Sequence, residues 1–136
     1  MAYTDLPIYL IAQVLEDDGV GTFATDIFIS KEPDSPDNAI TIYSNGGIPD
    51  ECLTHGERSG EILSFQVRVR NNDYLTAQAV MESVRASIEK GNKTLVDSGG
   101  TNRLKIWMTS LPIDLKRDST NRAIVTANFN VMRSYS

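Results

Sequence analysis

The stretch EILSFQVRVRN, Glu61 to Asn71, limits the possible folds more than any other part of the chain. Leu63, Phe65, Val67 and Val69 alternate with Ser64, Gln66, Arg68 and Arg70, the period-two pattern of a half-buried β-strand. Such a strand needs a sheet with one apolar face under cover and one polar face facing water or a partner. The cover follows at once in NDYLTAQAVMESVRASIEKGN, where Tyr74, Ala77, Met81, Val84 and Ile88 recur at three and four residues along one helix face. Asn72 or Asp73 caps this helix and Gly91 ends it.

The rest of the chain fits around that strand and helix. YTDLPIYLIAQVLEDDG predicts an N-terminal helix with Thr4 or Asp5 as its cap, Pro7 in its first turn and Gly19 as its stop. TDIFIS and NAITIYS are rich in β-branched and aromatic residues and read as two strands. Between them KEPDSPD is a rigid polar loop, because Pro33 and Pro36 remove ladder donors and bias their predecessors to extended conformations. Asn45, Gly46 and Gly47 tolerate positive φ, so the second strand is expected to turn there into a long loop, about residues 45–60. After the second helix KTLVD, RLKIWMTS and RAIVTANFNVMRSY read as strands, with PIDLKRDSTN a connection. The expectation is an α+β fold in a single domain spanning residues 1–136. A largely antiparallel β-sheet of mixed order is packed by two helices, in the order α-β-β-β-α-β-β-β.

Composition narrows the function. A formal charge of −5 and a pI near 4.8 argue against a protein whose main task is gripping nucleic acid, since affinity for phosphate rests on clustered Lys and Arg. No apolar run approaches the roughly 20 residues needed to span a bilayer, so no membrane partner is expected. The apolar stretch Leu6 to Leu15 lacks the basic flank and cleavage site of a secretory signal and reads as structure in a cytosolic chain.

Catalytic and metal-binding patterns are sparse. Cys52 and His55 lie three residues apart in a loop-like stretch, but thiol enzymes draw their base from elsewhere in the fold. Glu16, Asp17 and Asp18 stand together at a helix end and do not alternate as calcium ligands do; a solvated terminus is the simpler reading. No catalytic residue, cofactor or metal site is expected, and the chain reads as an assembly component rather than an enzyme. Arg68 and Arg70, with Arg103, Lys105, Lys116 and Arg117, form either the polar face of a sheet or a basic patch for a partner. Trp107 points away from Leu104, Ile106 and Met108, and either packs beneath a loop or anchors an interface.

Three stretches together resemble the bacteriophage minor capsid or tail terminator family of long-tailed phages. These are the helix ending in GVGTFATDIFIS, the block PDSPDNAITIYSNGG, and FQVRVRNNDYLTAQAVMESV running from strand into helix. The most specific pieces are Pro36-Asp37-Asn38 before an apolar strand and Gly46-Gly47, and Val67 to Arg70 before Asp73-Tyr74. The resemblance extends to about Ile88. It implies a homohexameric ring that caps the tail tube and joins it to the head-completion or connector protein at the neck, with DNA passing through the bore without specific binding. It also implies a place at the tail–neck junction of the virion, and in the host cytoplasm during assembly. Candidate interface residues are Pro33, Pro36, Asp37, Asn45, Gly46, Gly47, Arg68, Arg70 and Trp107. Another head–tail joining protein, or a small enzyme using Cys52 and His55, are the alternatives.

Overall fold

A computed structural model of the chain describes residues 6–48, 60–89, 94–96 and 102–135. The elements in chain order are α1 (Pro7–Asp17), β1 (Ile27–Ile29), β2 (Ala39–Ile48), β3 (Gly60–Asn71), α2 (Tyr74–Glu89), β4 (Thr94–Val96), β5 (Asn102–Met108), β6 (Ile113–Leu115) and β7 (Ala123–Tyr135). The fold is α+β, as expected.

The seven strands form one sheet in the order β1-β2-β3-β7-β5-β4, with β6 beside β7. Strand β7 is its spine. One edge of β7 pairs with the whole of β3, from Gly60↔Ser134 to Asn71↔Ala123. Its other edge is shared: β6 takes Ile124 to Thr126 and β5 takes Phe129 to Tyr135. Every pairing is antiparallel except β1 with β2, which run parallel in the register Ile27↔Ile40. A parallel pair forces its connection to carry the chain back along the strands. That connection is the proline-bearing segment 30–38.

The alternation in β3 sorts the two faces. Phe65, Val67 and Val69 are buried beside Ile40 and Ile42 of β2 and Val125, Ala127, Phe129 and Val131 of β7. Both helices cover this face. Ile11 and Leu15 come from α1, and Ala77, Met81, Val84 and Ile88 from α2, all at or below 2% exposure. Full burial of each large side chain contributes roughly 1.5–3 kcal/mol, so this layer is the main stabilising element.

The helix ends follow local chemistry. Asp73 caps α2: its Oδ2 accepts hydrogen bonds from the Thr76 backbone N–H at 3.0 Å and the Thr76 hydroxyl at 2.7 Å. Those two bonds hold the Asp73 carboxyl below its ordinary pKa. In α1 the N-cap is Leu6, without a side-chain cap, because Pro7 occupies the first helical position and sets the start of the helix. Gly19, at φ +76, follows the C-cap Asp18.

Three expectations are corrected, the first being the cap of α1, which is Leu6 rather than Thr4 or Asp5. The chain does not turn out of β2 at Asn45 to Gly47; the strand continues to Ile48 through a β-bulge. Ser44 pairs with Phe65 and Gly47 with Leu63, so one extra residue is accommodated, and Gly46 supplies φ +86 at that point. The same tolerance of positive φ serves a bulge as readily as a turn. The connection after Trp107 also contains a strand, β6, whose three residues are too few to show a period.

Candidate functional site

The face opposite the helices carries Arg68 and Arg70 of β3, and segment 30–38 lies across it. Arg70 is 2% exposed although it stands on the polar side of the alternation. Its Nη2 donates to the Pro36 carbonyl at 2.6 Å and its Nε to the Asp37 carbonyl at 3.1 Å. Its Nη1 pairs with Glu32 Oε1 at 3.1 Å, while Arg68 Nε lies 2.8 Å from Glu32 Oε2. Arg122, at the entry to β7, completes the clasp: Nη1 donates to the Asp34 carbonyl at 2.6 Å and Nε to Asp118 Oδ2 at 2.9 Å. Asn72 Nδ2 donates to Asp37 Oδ2 at 3.1 Å.

Three guanidiniums therefore grip one loop. Several bonds go to backbone carbonyls, which are satisfied only when the loop holds one shape. Guanidinium forks suit this task because their donors are fixed in a plane. Together with Pro33 and Pro36, the clasp makes the loop a rigid presented surface in which the side chains of Pro36 and Asp37 are exposed.

The electrostatics follow from these contacts. Asp118 is held down to about pH 2 as a carboxylate, first by the Arg122 backbone N–H, then by the Thr120 hydroxyl and the Arg122 side chain. Tyr43, on the same face as Arg68, is pushed up, by burial first and by the nearby Glu32 carboxylate second.

The structure brings together Pro33, Pro36, Asp37, Arg68 and Arg70, and keeps other candidates apart. Arg68 and Arg70 do not join Lys105 and Lys116 in an open basic patch: Arg70 is buried, both arginines are paired with Glu32, and it is Lys105, Lys116 and Arg117 that stand exposed. Arg117 donates to the Asn72 and Asn121 carbonyls at 3.3 and 2.7 Å. Trp107 pairs with Asn130 across β5 and β7, half-buried on the face away from Ile106. Asn45 and Gly46 are exposed in the bulge, away from the clasp. The side chain of Arg103, and Cys52 and His55 altogether, lie outside the described residues. No metal-binding group of His, Cys, Asp or Glu occurs among the described residues.

The sequence reading missed Glu32, Arg122 and Asp118. A signal for Arg122 was present, since 122, 124 and 126 share parity, and β7 places Ile124 opposite Arg70 and Thr126 opposite Arg68. That parity puts Arg122 on the clasp face.

The molecule is thus a single-domain α+β protein whose buried arginines bind the carbonyls of its own loop. The profile of the bacteriophage tail terminator protein family matches residues 14–135, nearly the whole of this chain, and the chain belongs to that family. It is thus of a structural, tail-associated kind. No curated protein matches the chain. Among solved structures, a chain from the virion of a native gene transfer agent particle is similar at a TM-score of 0.62 and 12% identity, with 98% of this chain and 99% of that chain covered. A second solved chain is similar at a TM-score of 0.55 and 13% identity, covering 89% and 87%. At such identities the likeness is one of fold. No helix among the described residues is long and apolar enough to cross a membrane.

Proposed function

We propose that this chain forms a homohexameric ring that terminates the phage tail tube and joins it to the head-completion complex at the neck. The observation that carries the reading is family membership over residues 14–135. The clasped loop supports it, because a ring that stops a growing tube needs surfaces whose shape does not relax on contact. In this reading Pro33, Pro36 and Asp37 present one contact surface, and the bulge at Asn45 to Gly47 and the half-buried Trp107 present others. Arg68 and Arg70 hold the first surface from beneath.

The partners are further copies of the chain, the tail tube protein and the head-completion or connector protein. DNA passes through the bore without specific binding, consistent with the acidic net charge. The chain acts without catalysis or cofactor, at the tail–neck junction after assembly in the host cytoplasm. Electron microscopy of particles from a phage lacking this gene tests the reading. Abnormally long, unjoined tails beside filled heads are expected; tails of normal length with leaking heads would move the protein to another ring of the neck.

A further inference from the structure

Asn45 is the only asparagine of the chain followed by glycine, and the bulge in β2 falls on that pair. Ser44 pairs with Phe65 and Gly47 with Leu63, so Asn45 and Gly46 together stand opposite Ser64 and neither has a register partner. On the other edge of β2, strand β1 reaches only to Ile42, so among the described residues no strand runs beside Asn45 and Gly46 there either. Both residues are exposed. The Asn45 side chain makes no hydrogen bond among the described residues. Nothing lies within 4 Å of a Cβ built at Gly46, so the space around its backbone is open.

Other asparagines are tied down. Asn72 Nδ2 donates to Asp37 Oδ2 at 3.1 Å, and Asn128 Nδ2 to Ser110 Oγ at 3.4 Å. Asn121 donates its backbone N–H to the Asp118 carbonyl at 2.9 Å and accepts from Arg117 at 2.7 Å. Each is also followed by a residue with a side chain. The difference matters because an asparagine carbonyl can be attacked by the backbone nitrogen of the next residue, a reaction inside the chain that needs only a suitable approach. A glycine in that place has no Cβ to obstruct the approach and the widest choice of backbone angles.

We propose that Asn45 is a site of spontaneous modification, in which the Gly46 backbone nitrogen closes on the Asn45 side-chain carbonyl carbon. The bond from that nitrogen to Cγ forms as the Cγ–Nδ2 bond breaks. Nδ2 leaves as ammonia, and the proton lost from the Gly46 N–H passes to it through water. Water then opens the resulting succinimide. Cleavage at Cγ leaves aspartate; cleavage at the Asn45 main-chain carbonyl leaves isoaspartate, with an extra methylene in the backbone. Water is the sole co-reactant and nothing is oxidised or reduced. Either product adds a negative charge to a chain of formal charge −5, and isoaspartate also lengthens β2 at the bulge. The bulge is among the contact surfaces proposed above, so the change falls on such a surface, although the chemistry does not depend on that reading.

The test is incubation of the purified full-length chain in mildly alkaline buffer, folded and unfolded in guanidinium. Peptide mapping by mass spectrometry follows, with fragmentation that separates isoaspartate from aspartate. Asn45 should convert ahead of Asn38, Asn72, Asn121 and Asn128, and to both products. In the folded chain its rate should lie within about tenfold of the unfolded rate, because an unpaired bulge at a strand edge needs only local opening. Asn45→Gln, at an exposed position, should leave the denaturant midpoint unchanged and form no acid there. A folded chain slower by about a thousandfold or more would mean that closure requires global unfolding, and would overturn the proposal. Aspartate without isoaspartate would indicate direct hydrolysis of the amide and would overturn it too, as would an Asn45 that outlasts any of the four other asparagines.

Discussion

Replacing Arg70 by Met keeps the aliphatic stem and removes every donor of the clasp's central residue. Two carbonyls, of Pro36 and Asp37, lose charge-assisted bonds at 2.6 and 3.1 Å. Each such bond is worth about 1.5–3 kcal/mol, giving about 3–6 kcal/mol in sum. Two considerations select the lower end. Glu32 keeps Arg68 at 2.8 Å and is not orphaned, and Pro36 and Asp37 are exposed enough for their carbonyls to regain water. The expected loss is therefore about 3 kcal/mol, a large share of the ~5–15 kcal/mol typical of a folded domain. In urea the midpoint should fall by roughly 1.5 M at an unchanged slope near 2 kcal/mol/M. Arg68→Met is the control: that side chain is 31% exposed and makes one ion pair, so its loss should cost below about 1 kcal/mol. Equal midpoints for the two variants, or a loss under about 1 kcal/mol for Arg70→Met, would refute the view that buried guanidinium-to-carbonyl bonds hold the loop.

Further expectations follow from other parts of the molecule. Asp118 has a folded pKa of about 2, below its ordinary value of 3.8, so it stabilises the fold above pH ~4 and that contribution is lost as pH falls toward 2. In thermal melts Asp118→Asn should flatten this acid limb, and an unchanged limb would show that Asp118 does not cause it. Phe129, 1% exposed opposite Phe65, should cost about 3–5 kcal/mol as Phe129→Ala in urea unfolding. Nothing lies within 4 Å of a Cβ built at Gly46, so Gly46→Val meets only the strain of φ +86. It should cost about 1–2 kcal/mol, with Gly46→Asn milder, and equal stabilities would argue that the bulge relaxes. In particles, deleting Asn45 to Gly47 shifts the β2–β3 register beyond the bulge, and should impair ring assembly, scored as tail length, more than monomer folding.

The layers were legible because their signals are periodic. Val67 and Val69 alternate with Arg68 and Arg70, and Ala77, Met81, Val84 and Ile88 return at helical spacing, so both covered faces could be read directly. The bulge was not legible, because Asn-Gly-Gly has the same φ requirement in a turn and in a bulged strand. Strand β6 was hidden by its length and by its exposure, since all three of its residues lack a buried face. The clasp was half legible. The prolines marked a stiff loop and the arginines a polar row, but nothing local joins Glu32 to Arg70 across 38 positions or Asp34 to Arg122 across 88. Those distances close only because β1 and β2 run parallel and send the loop back over β3 and β7.

Strand β7 also bears on how the molecule is made. It fills the gap between β3 and β5, yet its residues 123–135 follow β3's 60–71 by about fifty positions. Until synthesis has passed Tyr135, Phe65, Val67 and Val69 have strand neighbours on one side only. Pairings of such sequence separation close slowly, on the millisecond-to-second scale seen for sheet-rich domains. A nascent chain halted before residue 123 would thus hold two helices and an open β2–β3 ribbon, a species that chaperones bind and that pairs readily with its own kind. Released chains truncated before residue 123 should therefore be sharply less protease-resistant than the full chain, and the completed sheet should appear as a single late step.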